Sequence, residues 1–297
     1  MTKYFKVAEH IFSLTMPDSC SLWPRLNQYD PFEIEPAGAE PLFGVELLKD
    51  EFVRPEGLEV MYDTPVEDGE TVVKLYKGDG LWLFDMSPDH RIPCHAHLVA
   101  SPDFRSGRLY LDNRRVQDAI FGLNNSMMLL FAFCTAGYGT LEMHASMVSN
   151  SGRAFLFLAK SGTGKSTHST QWLENIPGTE LMNDDNPVVR VWEDGSVIAY
   201  GSPWSGKTPC YRNVKAPVGA FVRIRRCPEN RITPLNIFES YALLYSSCSG
   251  FKADKGMADG LHATLEKIVT TTPCYVLDCR PDKEAAEVCS AEVLKNK

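Results

Sequence analysis

The chain has no surplus of positive charge, no long uninterrupted apolar run and no C-x-x-C pair, and each absence removes a class of function. Lys and Arg number 30 against 38 Asp and Glu, a formal charge of -8, so no general basic face exists for a phosphodiester backbone and no nucleic-acid partner is expected. The longest apolar run, Met127 to Cys134, is far shorter than the roughly 20 residues that cross a bilayer. The N-terminus has neither a sustained apolar stretch nor a small-residue cleavage pattern, so neither a leader nor a membrane segment is expected. The 9 Cys are scattered from Cys20 to Cys289. Odd in number and without paired spacing, they suggest neither a disulfide framework nor a zinc ribbon, and a reducing, cytoplasmic compartment is expected. There is no internal repeat or low-complexity tract.

What is present suits a globular enzyme. A composition 44% hydrophobic and 23% charged over 297 residues is enough for one large domain or two modest ones and excludes disorder. The most informative stretch is Ala159-Lys160-Ser161-Gly162-Thr163-Gly164-Lys165-Ser166-Thr167. Before it, Ala154 to Leu158 is a short apolar run, as in a buried parallel strand. After it, Ser166 to Asn175 is helix-compatible until Pro177-Gly178. In a strand-loop-helix setting, Gly162 and Gly164 let backbone N–H groups approach phosphate oxygens, Lys165 supplies a point charge, and the Ser166 hydroxyl can ligate Mg²⁺. The first Gly of G-x-x-x-x-G-K-[ST] is replaced by Ala159. Ala resists positive φ by about 1 kcal/mol or more, so the entry to the loop is expected to be built differently.

Nineteen residues after Lys165 stands Asp184, in Leu181-Met182-Asn183-Asp184-Asp185-Asn186 before Pro187. Adjacent acids on an extended segment point to opposite faces, so one can hold Mg²⁺ while the other accepts a proton from an attacking hydroxyl. The same string is also ordinary turn chemistry. His95-Ala96-His97 beside Cys94 has metal-like spacing, but no companion acid is placed by the sequence, and the pair reads as structural.

Ser161 to Thr167, the acid pair at this spacing, and His144 in Leu141-Glu142-Met143-His144-Ala145-Ser146 resemble the catalytic domain of HPr kinase/phosphorylase, whose nucleotide-binding core is shared with phosphoenolpyruvate carboxykinase. The resemblance extends from about Leu141 to Val222. It implies a phosphotransferase using ATP and Mg²⁺ to phosphorylate a serine hydroxyl of a protein, peptide or small molecule. Ser161, Gly162, Thr163, Gly164, Lys165, Ser166 and Thr167 would bind the nucleotide and Ser166 and Asp185 the metal. Asp184 would act as base, and His144 would lie beside the reacting phosphate. Two features depart from the family: Thr167-His168 stands where a Glu usually follows Lys-Ser, and the Arg-Gly-Leu-Gly signature is replaced by Gly201-Ser202-Pro203-Trp204-Ser205-Gly206-Lys207. That segment is similar to one in HPr-kinase-like proteins of peptide-modification gene clusters, which opens the identity of the acceptor. Its Trp and Lys could stack on a base or clamp an anion, or the segment is a surface turn. Lys207 and Arg212 join the nucleotide-site candidates. The related kinases are homo-oligomers, but the segment that would carry this over is not matched. Two other readings stand beside the kinase: a non-catalytic nucleotide-binding regulator or peptide-maturation scaffold, and a carboxykinase-like enzyme, for which the chain is about half the family's length.

The fold expected is α/β, a mixed-sheet P-loop kinase core over 116–297 preceded by a β-rich region over 1–115 that could hold the acceptor. In the latter, Thr71 to Tyr76 and Leu81 to Phe84 flank Lys77-Gly78-Asp79-Gly80 as a hairpin, and Gly107 to Leu111 continues the strands. Val116 to Cys134 has helical spacing until Gly137 and Gly139. Further on, a strand is expected at Val218 to Ile224 and helices near Phe238 to Ser247 and Leu261 to Thr270. A strand at Cys274 to Asp278 and a helix from Asp282, opened by Pro281, complete the chain.

Overall fold

The computed structural model describes residues 1–65, 71–112, 115–206, 208–252 and 254–295. The fold is mixed α/β with two mixed sheets, and the chain divides into two compact units, Met1–Cys134 and Thr135–Lys297.

The first unit has strands Thr2–Val7 (β1), His10–Thr15 (β2), Glu33–Ile34 (β3), Phe43–Leu47 (β4), Glu59–Asp63 (β5), Val72–Gly78 (β6), Leu81–Ser87 (β7), Ala96–Ala100 (β8) and Ser106–Leu111 (β9), then helix Val116–Thr135 (α1). The sheet order is β3-β1-β2-β4-β9-β8-β7-β6-β5. Its pairs are antiparallel except β2–β4 and β4–β9. The expected hairpin is present: Gly78 faces Leu81 across the β6–β7 turn, and Gly80 takes a φ of 70° there. The stripe Ala119, Leu123, Met127 and Leu130 is buried. Gly122 lies so close to the sheet that an added Cβ would stand 2.5 Å from Ala96 Cβ. The unit boundary therefore follows this helix instead of preceding it near residues 112 to 116: its apolar stripe is satisfied by the first sheet, and a helix goes where its hydrophobic face is buried. The stretch Val116–Tyr138 is long and apolar enough to cross a membrane by composition alone, but 67% of its apolar window is buried, as in a core helix.

The second unit has strands Thr140–Glu142 (β10), Ala145–Asn150 (β11), Arg153–Leu158 (β12), helix Lys165–Asn175 (α2), then strands Glu180–Asp185 (β13), Val188–Val191 (β14), Val197–Tyr200 (β15), Lys215–Arg226 (β16) and Arg231–Pro234 (β17). Helices Ile237–Ser247 (α3) and Lys255–Thr271 (α4), strand Cys274–Cys279 (β18) and helix Lys283–Val293 (α5) follow. The main order is β10-β14-β15-β16-β12-β11-β13, with β18 also paired to β16 and β17 to β18. Every residue of Ala154 to Leu158 is buried, as expected of a strand flanked on both edges and covered on its faces. Helices α2 and α5 share one core with the sheet: Trp172, Ala285, Ala286, Cys289 and Val293 meet Phe155, Phe157, Val222 and Leu277. Helix α4 begins at Lys255, capped by Asp254, earlier than its apolar spacing suggests. The cap of α5 is Asp282, whose carboxylate accepts from the Ala285 N–H at 3.0 Å. Pro281 thus lies ahead of the helix and not in its first turn.

Strand polarity decides what meets at the loop. Because β11 is antiparallel to both β12 and β13, those two run the same way, and Leu158, Ala145 and Asp185 form one row across the sheet. The end of β12, the start of β11 and the end of β13 therefore share an edge. Trp172 is the main anchor of α2 beneath it, fully buried with its ring 5.4 Å from Phe155 and 5.5 Å from Phe157. Trp172→Ala is expected to cost about 3–5 kcal/mol, read as a lowered urea midpoint with an unchanged slope; a loss below about 1 kcal/mol would contradict this packing.

Candidate functional site

The loop after β12 turns on two glycines, Gly162 at φ 72° and Gly164 at φ 126°. Ala159 is not among the residues with positive φ, so alanine meets no penalty at the loop's entry, and its side chain packs on the core. Arg226, at the end of β16, donates to the carbonyl of Thr163 at 3.0 Å and of Gly162 at 2.6 Å. Fixing those carbonyls fixes the peptide planes, and with them the direction of the N–H groups on the other side. Ser161 is exposed on the loop and Thr167 on the first turn of α2.

Lys165 is the first residue of α2, and its side chain is only 8% exposed. The ammonium is hydrogen-bonded to His144 Nε2 and stands 4.0 Å from Asp185 Oδ1. His144 Nε2 is 3.5 Å from the same oxygen. The neighbouring residue, Ser166, donates from Oγ to Asp184 Oδ1 at 2.9 Å. The two acids thus separate: Asp184, 3% exposed, pairs with the loop serine, while Asp185 faces Lys165 and His144. His144 is held by its backbone, whose N–H donates to Ser247 at 2.7 Å.

The acids are held from below by Asn183. Its fully buried amide donates to Trp204 O at 3.1 Å and Ser202 Oγ at 3.2 Å, and its carbonyl accepts from the Asn186 N–H at 3.0 Å. The Gly201 to Gly206 stretch lies over the acid end of β13: Ser205 Oγ and the Gly206 N–H donate to Asp184 O at 2.8 and 2.7 Å. Trp204 is buried, so it packs and does not present a ring for stacking on a base. A Cβ on Gly206 would stand 3.0 Å from Asp185 Cβ, and Asp185 itself holds a φ of 120°. That conformation costs a non-glycine residue about 1–3 kcal/mol and clusters at functional sites.

Arg212 does not join this group. It donates to Leu181 O at 2.6 Å and to Glu180 Oε2 at 2.8 Å, at the opposite end of β13 from the acids. Its guanidinium is satisfied by a strand start some four residues away. Lys207 lies outside the described residues.

Sequence reasoning passed over Arg226, Asn183 and Glu142. Glu142 ends β10 and is 1% exposed, and among the described residues neither carboxylate oxygen has a partner in hydrogen-bonding geometry. Burial pushes its carboxyl up to about 8, and the charge of Asp185 adds to the effect. The Ser249 hydroxyl, outside hydrogen-bonding geometry, offsets only part of it. No local motif marks such a residue, because its environment comes from other strands.

Two of the cavities in this unit are larger than the one beside Arg212. One of about 760 Å³ opens beside the loop, bordered by Thr163, Gly164, Thr167, Ile224, Cys279 and Arg280. The other, about 870 Å³, lies along β14 and β15 by Arg190, Trp192 and Tyr200 and includes no residue of the loop.

No protein-family model matches the chain, and no curated protein shows significant similarity to it. Among solved structures it is similar to that of the Hpr(Ser) kinase/phosphatase from Coxiella burnetii, at 11% identity and a TM-score of 0.31. The match covers 52% of this chain and 97% of that one. A likeness of that degree carries no weight about chemistry, which rests on the residues.

The raised Glu142 pKa has a direction for stability. The folded state binds a proton that the unfolded chain releases near the ordinary value of 4.5. The stabilisation is complete below that value and is lost as pH rises toward about 8. Glu142→Gln should remove this component, giving a flatter melting temperature than wild type across that window; parallel profiles for the two proteins would refute it.

Proposed function

We propose that this chain is an ATP- and Mg²⁺-dependent phosphotransferase acting on a serine hydroxyl of a protein, peptide or small molecule. The observation that carries the reading is the convergence at one sheet edge of a buried ammonium, an imidazole and two carboxylates around a glycine loop at a helix start. A polyphosphate needs a positive, water-poor cradle with oriented N–H donors, and its transfer needs a proton acceptor beside the entering hydroxyl. These residue types are the ones such a reaction requires.

The geometry favours a different distribution of roles from the one the family resemblance implies. Ser166 Oγ and Asp184 Oδ1, 2.9 Å apart, are hard oxygen donors of the kind Mg²⁺ takes. They would hold the ion, where the resemblance assigned Asp185. When bound, Mg²⁺ supplies neutralisation of phosphate charge. Lys165, released from His144, would move its charge onto the β- and γ-phosphates. Asp185, with His144 3.5 Å away, would accept the proton of the serine hydroxyl in place of Asp184. Arg226 keeps the loop in its donor-presenting shape. The cavity beside Thr163 and Thr167 has the size of a small-molecule site and would take the base and ribose, with Ile224 and Cys279 as apolar walls.

Calorimetric titration with ATP, ADP and GTP, with and without Mg²⁺, tests the site. Magnesium-dependent binding is expected, abolished in Lys165→Ala and made magnesium-independent in Ser166→Ala. Nucleotide binding unchanged in Lys165→Ala would overturn the assignment. With radiolabelled ATP and serine-containing peptides, Asp185→Asn should keep binding and lower transfer by about 10²–10³-fold, in the range of general-base and charge-stabilising groups. Tight nucleotide binding with no transfer to any serine acceptor would instead make the chain a nucleotide-binding module.

A further inference from the structure

The first unit assembles a second cluster of chemistry-bearing side chains, independent of the loop. Asp85 on β7 and His97 on β8 are paired directly in register, and His97 Nδ1 lies 2.6 Å from Asp85 Oδ1. Cys94, two residues before β8, places Sγ 3.8 Å from the same nitrogen. One ligand atom from each of the three residues lies within 4.8 Å of the others. The acid that the sequence could not supply to His97 therefore comes from the neighbouring strand.

The surroundings orient all three. Phe52 stacks on the imidazole, ring centroids 4.0 Å apart and planes 9° from parallel. Arg54 holds the other oxygen of Asp85, leaving Oδ1 toward the histidine. The Cys94 thiol is 3.5 Å from Met86 O and 3.6 Å from Ala96 O. Asp85 is buried whereas Cys94 is exposed, so the cluster has a fixed floor and an entry from solvent. Partners that fix ring and carboxylate orientation in this way are the outer shell that metal ligands require.

We propose that Asp85, Cys94 and His97 form a three-ligand site for a transition-metal dication, with Zn²⁺ matching best and a fourth position open to solvent. Thiolate, imidazole and carboxylate are the donor set Zn²⁺ takes, whereas Mg²⁺ and Ca²⁺ avoid sulfur. Bonds of about 2.0–2.3 Å in a tetrahedron put ligand atoms roughly 3.3–3.6 Å apart. The sulfur–nitrogen spacing already agrees closely. The nitrogen–oxygen pair, now bridged by a proton, opens by under about 1 Å when the ion replaces it. Binding releases the protons of Nδ1 and the thiol.

Metal-stripped full-length protein is titrated with Zn²⁺ by calorimetry and with Co²⁺ by absorption. One equivalent is expected to bind, with a thiolate-to-cobalt band in the near ultraviolet and a raised melting temperature in Zn²⁺. Cys94→Ser, a change at an exposed position, should abolish the band and weaken Zn²⁺ at least tenfold. His97→Ala should remove the melting-temperature gain, and Cys227→Ser should change nothing. Absence of saturable binding at one equivalent overturns the site, as does a cobalt–thiolate band that survives Cys94→Ser.

Discussion

The ammonium of Lys165 is almost wholly removed from water, and the candidate site is organised around that constraint. A buried charge is tolerated only when neighbours compensate it, and here a carboxylate at the end of β13 and an imidazole between β10 and β11 do so. Each of those neighbours must in turn be held. His144 is fixed through its backbone, Asp185 by a φ of 120° that the overlying Gly206 accommodates, and the strand beneath both by the fully bonded amide of Asn183. A lysine so placed is a preorganised charge: the cost of stripping its water is met by folding and does not recur when an anion arrives.

The sheet supplies the second condition. Because β12 and β13 run the same way with β11 between them, a loop, a histidine and two acids far apart in the chain reach a single edge. The same polarity brings the end of β16 to that edge, and Arg226 with it. Open sheets gather ligand sites where parallel strands end, since the loops there converge. The proposed donor cradle and the cavity bordered by Thr163 and Ile224 are both products of this polarity. In the first unit the in-register pairing of β7 and β8 does comparable work, turning one His of a bland-looking pair toward a carboxylate.

Much of the fold was legible because its signals are local. The apolar run at Ala154 to Leu158, the hairpin around Asp79-Gly80 and the helical stripe from Val116 each follow from spacing within one element, and each forms where expected. The positions that escaped depend on contacts between elements. The stripe of α1 shows that a face must be buried but not in which unit. Pro281 has the conformation of a helix start, yet Asp282 is the better cap because its carboxylate reaches the Ala285 N–H. Arg212 resembles an anion ligand by residue type alone, but Glu180 and Leu181 O satisfy it first. Trp204, a stacking candidate by chemistry, is consumed by packing.

The amino-acid sequence by itself determined the glycine loop between strand and helix and the carboxylate pair at a strand end, since these depend only on residue type, order and short-range periodicity. Tertiary structure decided which acid meets Ser166 and which meets Lys165, that Glu142 is buried, that Arg226 holds the loop, and that Asp85 completes a triad with Cys94 and His97. The physical reason is the range of the forces involved. Backbone conformation and hydrophobic periodicity act over a few residues, whereas ion pairing, desolvation and ligand geometry depend on distances in space that only strand order and register set.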